Sequence, residues 1–185
     1  GKDATFAQKT LSAYAFDTEW LRWSAELNTD SVLNMESLLG ELLGERMGRT
    51  ANTALTTGSG SSAVEGIVTG STLGKTAAAT AAVTGDEILD LIHSVDPSYR
   101  ASPNTAIMMN DSTLSAVRKL KDGNGNYLWQ MGNFQAGVPN SLLGYNVVIN
   151  QAMDSLATAK KVMIFGDMSK FYVRKVGAPS IYVAR

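Results

Sequence analysis

Apolar positions along this 185-residue chain recur at two periods, and the switches between them outline its elements. Within residues 4–16 the second half alternates, with Leu11, Ala13 and Ala15 to one side and Ser12 and Tyr14 to the other, which predicts a strand. Ser24 to Asn28 reads as a short turn, and Asp30 or Ser31 then offers a helix N-cap. From there Met35, Leu38, Leu39, Leu42, Leu43 and Met47 recur at helical spacing, and the pattern extends to Ala51 and Leu55. Such a helix runs about 24 residues, or about 36 Å, long for a globular domain and shaped like a spine.

The pattern then breaks. Residues 56–85 carry Thr-Thr-Gly-Ser-Gly-Ser-Ser, a brief Gly66-Ile67-Val68 run and Ala-Thr repeats, which read as loops around short strand pieces connecting two lobes. Thr84-Gly-Asp-Glu87 is a capping box opening a helix with the stripe Ile88, Leu91, Ile92 and Val95, closed before Pro97. Ala106 to Met109 reads as a buried strand, its Met108-Met109 pair as core. Asn110 can cap a helix that turns Leu114, Val117 and Leu120 inward. Asp122-Gly-Asn-Gly-Asn126 is turn chemistry ahead of a strand at 127–130. Further strands are predicted at Tyr145 to Asn150, Val162 to Gly166, Phe171 to Val176 and Ser180 to Ala184. One long helix with strands, a mixed lobe, then strands leaving it: that order is α+β, not a repeated βαβ winding.

Composition removes several classes of function. There is no cysteine, so disulfides, thiolate metal sites and cysteine nucleophiles are excluded, and His93 stands alone, so no two-imidazole metal site can form within the chain. Sixteen basic against 17 acidic residues give a net charge of -1, which speaks against bulk-charge binding of a polyanion. No apolar run approaches the ~18 residues of a membrane span. Gly1-Lys2-Asp3 has neither an initiator methionine nor a signal core, as in a chain processed or cut from something longer.

Each candidate for chemistry is incomplete. Gly70-Ser-Thr-Leu-Gly74-Lys75-Thr76 resembles a phosphate loop but is one residue short between its glycines, and no amphipathic helix follows directly. Asp122, Asn124 and Asn126 match the first ligands of a calcium loop, but Tyr127 and Asn133 stand where Gly and Glu are needed. His93 with Asp90 one turn earlier could be half a catalytic pair, yet no serine lies in a nucleophile-elbow pattern, and an exposed polar helix residue is the simpler reading. Carboxylate pairs such as Asp86 and Asp90, or Glu41 and Glu45, fall on helix surfaces. No catalytic, cofactor-binding or metal-binding residue is assigned, no cofactor is expected, and the chain is read as not an enzyme.

Two patterns do point outward. Gly40, Gly44 and Gly48 repeat every fourth position in the long helix, and each costs ~1 kcal/mol relative to alanine. Close approach of another backbone, from this chain or a neighbouring subunit, would explain them; a weak helix is the alternative. Charge is also segregated: residues 17–45 balance to -6 and residues 160–185 to +5. These stretches satisfy one another within the chain, are simply solvated, or form complementary edges between identical subunits.

Ordered stretches along nearly the whole chain carry a resemblance. They are Leu11-Ser-Ala-Tyr14, Trp20 to Leu27 with Asp30-Ser31, Gly44-Glu-Arg-Met-Gly-Arg49, Thr57-Gly-Ser-Gly60 and Glu65-Gly-Ile67. Further on come Leu91 to Arg100, Asn110 to Leu114, Lys119 to Gly123, Tyr127-Leu-Trp129, Leu143-Gly-Tyr145 with Val147-Val148, and Phe165-Gly-Asp167 with Tyr172. In these the chain resembles the tailed-bacteriophage major capsid proteins, with their Hong Kong 97-type shell fold. That resemblance implies a structural protein that assembles into pentamers and hexamers of an icosahedral head around double-stranded DNA. It implies a peripheral domain at residues 1–83 and 168–185 with a spine helix at about 33–55, and an axial domain at 84–167.

Partners implied are identical subunits, with scaffold, portal and maturation protease as further candidates. DNA would be contacted non-specifically at most, no membrane is involved, and the site of action is the virion, assembled in the bacterial cytoplasm. Relative to the family the chain lacks the N-terminal arm, most of the extended hairpin loop and the extreme C-terminus, and Asn146 replaces a usual proline. An encapsulin-type bacterial compartment shell protein is the alternative; a small nucleotide-binding enzyme using the 70–76 loop is a remote one.

Overall fold

The computed structural model describes residues 12–17, 21–22, 24, 34–129, 141–178 and 180. Its longest element is helix α1, Met35–Thr57. Asn34 caps it, the side chain accepting from Ser37 N at 3.2 Å; the caps expected at Asp30 or Ser31 lie outside the described residues. In its Thr-rich last turns four hydroxyls bond back to carbonyls one turn earlier. Thr50, Thr53, Thr56 and Thr57 donate to the carbonyls of Arg46, Arg49, Asn52 and Thr53 at 2.7–3.1 Å, which occupies their donors inside the helix. The helix ends two residues beyond the predicted Leu55.

Three short helices follow: α2 at Ile67–Gly70, α3 at Gly85–His93 and α4 at Pro97–Arg100. The strand pieces expected around Gly66-Ile67-Val68 are thus a single helical turn, closed by Gly70 N to Gly66 O at 2.9 Å. The capping box at the head of α3 forms as its sequence dictates: Thr84 Oγ1 accepts from Glu87 N, and the Glu87 carboxylate accepts from Thr84 N.

A four-stranded sheet forms the centre of the lobe. Strand β1 (Thr105–Met109) leads through helix α5 (Asp111–Arg118) to a hairpin of β2 (Ser141–Leu142) and β3 (Tyr145–Ile149), and β4 (Met163–Asp167) completes it. The order is β2-β3-β1-β4, with β1 and β3 parallel and the other pairs antiparallel. Ile107 stands between Val147 on one side and Phe165 on the other. The β2–β3 turn holds Leu143 at φ 52° and Gly144 at φ 86°, the left-handed pair that matches strand twist.

Strand alternation divides the core in two. Ile107, Met109, Val147 and Phe165 face α3 and α5, meeting Ile88, Ile92, Leu114 and Val117, with Trp129 packed at the margin. On the opposite face Ile164 meets Val68 of α2 and Met153, with Met108 alongside. Burying each such side chain stabilises the fold by roughly 1.5–3 kcal/mol. The helical stripes and the Met108-Met109 pair lie where their spacing placed them.

Three strand expectations differ from the structure. Ser12 to Phe16 forms no strand, and the rest of the 4–16 segment lies outside the described residues. Beyond Asn126 there is one bridge, Lys121 to Tyr127, because the Asp122–Asn126 turn closes after only two rungs; Gln130 is outside the described residues. Phe171 to Val176 forms no strand; it follows a 3-10 turn at Met168–Lys170. Its Tyr and Val favour a strand, but the described sheet ends at β4. Of 180–184, only Ser180 is described.

Candidate assembly surfaces

Helix α1 joins the lobe at its last turns through one carboxamide. Asn150 follows β3, and its backbone N–H donates to Met109 O at 2.9 Å. Its side-chain Oδ1 accepts from Asn52 Nδ2 and from Ala152 N, both at 3.0 Å. Its Nδ2 donates to Thr56 Oγ1 at 2.9 Å. Thr56 is 2% exposed and is the buried residue of α1. Asn110 braces the same turn from the head of α5, donating to Met153 O at 3.0 Å while its Oδ1 accepts from Ser112 N at 3.0 Å.

Two glycines allow the chain to fold back against this joint. Gly66 N donates to Gly58 O at 3.0 Å. A Cβ on Gly66 would stand 2.5 Å from Thr56 O, and one on Gly58 would stand 2.0 Å from Val64 O. Neither tolerates a side chain without backbone movement. Lys161 Nζ closes the arrangement by donating to Val68 O at 2.9 Å.

Away from the joint α1 is a projecting surface. Leu38 and Leu42 are exposed, Leu42 at 48%. Among the described residues nothing lies within 4 Å of a Cβ built on Gly40, Gly44 or Gly48. Close packing of another part of this chain against the glycine stripe is therefore ruled out among those residues. A second exposed apolar stretch follows β4, where Tyr172 is 73% exposed beside Val173 and Val176.

The segregated charges are partly satisfied locally. Glu45 pairs with Arg49 one helical turn away, and Lys160 pairs with Asp154 at 3.2 Å. Such exposed pairs contribute little to stability. Asp17 and the acids of α1 are described; Glu19, Glu26 and Asp30 lie outside.

The sequence-level chemical candidates come apart in space. Lys75 donates to Asp90 Oδ2 at 2.5 Å, and this bond raises the lysine pKa. The 70–76 loop leads into no helix; α3 begins only at Gly85, so no helical N-terminus meets a phosphate there. Asp90 is thus engaged away from His93, whose Nδ1 accepts from Arg100 Nη1 at 3.2 Å. The residues of the calcium-like stretch form a turn: Asp122 Oδ1 accepts from Asn126 N at 2.8 Å and Asn124 N at 2.9 Å. These bonds, the Asn126 one foremost, lower the Asp122 pKa. Among the described residues no three His, Asp or Glu side chains converge as metal ligands, and no helix is long and apolar enough to cross a membrane.

Two hollows flank the sheet. A cleft of about 540 Å³ runs between the 71–80 loop, α3 and β4. Its floor is apolar, with Ile88, Leu91 and Phe165, and its three lysines, Lys75, Lys160 and Lys161, are engaged as described. A shallower hollow of about 330 Å³ lies over Ala106, Asn146 and Val148. Glu87 and Ser94 also line the larger one, but Glu87 accepts from Ala78 N and Thr84 N, and Ser94 Oγ donates to Leu91 O. The features the sequence did not disclose are the Asn150 joint and the Gly58–Gly66 contact. The first joins residues far apart in sequence and the second closes a short irregular loop, with only the isolated glycines as a signal.

Comparison with known proteins places the chain among capsid proteins. No curated protein matches the chain. In solved structures it is similar to the capsid of a native GTA particle, at 28% identity and a TM-score of 0.69, over 78% of this chain and 52% of that one. The capsid of an empty GTA particle matches at 29% and 0.65 over the same shares. A protein of Mycobacterium phage Adephagia, 15% identical with a TM-score of 0.52 over 77% of this chain and 46% of that one, shares the fold. The chain spans about half the length of these proteins. The model of the phage capsid family matches residues 1–184, and the chain belongs to that family.

Proposed function

We propose that this chain is part of the major capsid protein of a tailed phage, or of a particle derived from one. It assembles through pentamers and hexamers into an icosahedral head enclosing double-stranded DNA. The observation that carries this reading is the family match over residues 1–184, supported by structural likeness to GTA capsids. An encapsulin-type compartment is less favoured, because the chain is 28–29% identical to the capsids of native and empty GTA particles. In this reading α1 is the spine of a peripheral domain formed by 1–83 and 168–185, and 84–167 is the axial domain. Assembly takes place in the bacterial cytoplasm, with scaffold, portal and maturation protease as further partners.

The exposed Leu38, Leu42, Tyr172 and Val173 are the apolar part of the contact between copies. The basic 160–185 stretch is its electrostatic part, docking on the acidic 17–45 stretch of a neighbour. Individually weak contacts suffice when many form at once. Replacing Arg174→Glu together with Lys175→Glu should abolish ring formation, measured by sedimentation velocity, while the thermal midpoint of the monomer changes little. Equal loss of both would overturn the electrostatic reading.

A further inference from the structure

The turn at Asp122–Asn126 leaves one polar group idle. Asp122 takes the backbone N–H groups of Asn124 and Asn126 and the side-chain amide of Asn126. The side-chain amide of Asn124 has no hydrogen bond among the described residues. Asn124 also precedes Gly125, the single Asn–Gly pair in the sequence. Nothing lies within 4 Å of a Cβ built on Gly123 or Gly125, and Gly125 holds the left-handed φ of 86° that glycine adopts freely.

We propose that Asn124 is a site of spontaneous covalent modification, in which its side chain closes on the Gly125 backbone nitrogen and water opens the resulting ring to aspartate or isoaspartate. Solvent hydroxide takes the proton of Gly125 N–H, and the nitrogen attacks Asn124 Cγ. The Cγ–Nδ2 bond breaks, and ammonia leaves with a proton from water, giving a five-membered imide. Water then adds at Cγ, restoring the main chain with an aspartate side chain, or at the α-carbonyl, routing the main chain through the β-carbon. The sum is amide plus water giving acid plus ammonia, with no oxidant or reductant.

The reaction is intramolecular, so its rate depends on how easily the two groups meet. A side chain on residue 125 would crowd the attacking nitrogen; glycine does not. The opposing factor is the hydrogen bond from Gly125 N to Asp122 O at 3.0 Å, which must open first. The turn is exposed, so water replaces that bond at small net cost. Other described asparagines are less exposed to this chemistry. Asn34, Asn52, Asn110, Asn126 and Asn150 have their side chains held by hydrogen bonds, and these five, like Asn104 and Asn146, are each followed by a residue bearing a Cβ. Conversion adds a negative charge two residues from Asp122. The isoaspartate form also lengthens the main chain inside the turn, against the Asn126 N to Asp122 Oδ1 bond at 2.8 Å.

The test is to incubate the folded full chain in mildly alkaline buffer and digest it with trypsin, which cuts after Lys121. Electron-transfer fragmentation of the peptide starting at Asp122 then locates any amide-to-acid mass increase. Asn124 should convert before any other asparagine, with both aspartate and isoaspartate formed. Gly125→Ala should slow it by about tenfold or more. Because alanine is strained at this φ, Asn124→Gln serves as the second variant: its peptide should gain no mass at 124 while the circular dichroism spectrum stays as in the parent. An unchanged Asn124 in folded chain whose other asparagines have begun to convert would overturn the proposal, as would an undiminished rate in Gly125→Ala.

Discussion

Glu87 shows how one side chain fixes a long connection. Its carboxylate accepts from Ala78 N at 2.6 Å and from Thr84 N at 2.8 Å, so it ties the loop before α3 to the helix's first turn. These bonds, the Ala78 one foremost, hold its pKa below the ordinary 4.5. Asp96, through Ser98 N, and Asp167, through the Ser169 hydroxyl, are lowered in the same way from 3.8. A carboxylate with a lowered native pKa contributes stability that is present above its unfolded pKa and is lost as pH falls through the native one. The thermal midpoint should therefore be flat near neutrality and fall with acidification below about pH 4.5. In Glu87→Gln it should be lower at neutral pH and fall less steeply in acid; parallel curves for the two proteins would count against the role given to Glu87. The capping half of that role was legible in Thr84-Gly-Asp-Glu87, whereas the bond to Ala78 was not, because it spans an irregular loop.

Asn150 is the residue on which the position of α1 depends. Alanine there would leave the exposed Asn52 amide to water and remove the donor to the buried Thr56 hydroxyl. The expected loss is about 1–3 kcal/mol. Urea denaturation should read it as a lower midpoint at unchanged slope. A midpoint equal to the parent's would mean that the joint is held by α2 packing alone.

At the scale of elements, α1 runs about 34 Å, and its last turns hold it to the lobe through Asn52 and Thr56. Its glycine stripe separates two accounts. As a weak helix, Gly44→Ala should gain about 1 kcal/mol of stability and leave association unchanged. Where a neighbouring subunit's backbone approaches the stripe, the same variant should be more stable as a monomer and defective in ring formation. Paired thermal melts and sedimentation on one variant give the answer, and the capsid reading predicts the second pattern.

Elements that carry their own signal were readable from sequence. The stripe of α3, the Asn110 cap of α5 and the apolar run of β1 each depend on spacing within a few residues. Segments that depend on a partner were not. Phe171 to Val176 has strand chemistry but forms no strand among the described residues, and Tyr127 finds a single bridge. Strand propensity reports how well a residue fits a pleated surface, not whether a second strand is present. The Gly66-Ile67-Val68 run failed differently: three apolar-flanked residues cannot distinguish a helical turn from a strand by periodicity.

For the whole molecule, the proposed capsid role accounts for the exposed surfaces. The described residues form a lobe and a helix anchored through its last turns, with exposed apolar residues at Leu42 and Tyr172. In the reading proposed above, those side chains are contacts repeated around a closed shell. The ordered motifs made the family legible, yet contact geometry between copies is a property of several chains and is written in no single one.

The most direct measurement is negative-stain electron microscopy of the protein expressed alone from its full reading frame. Closed shells or five- and six-membered rings are the predicted result. A product that stays monomeric at every concentration, alone and with its scaffold supplied, would contradict the account.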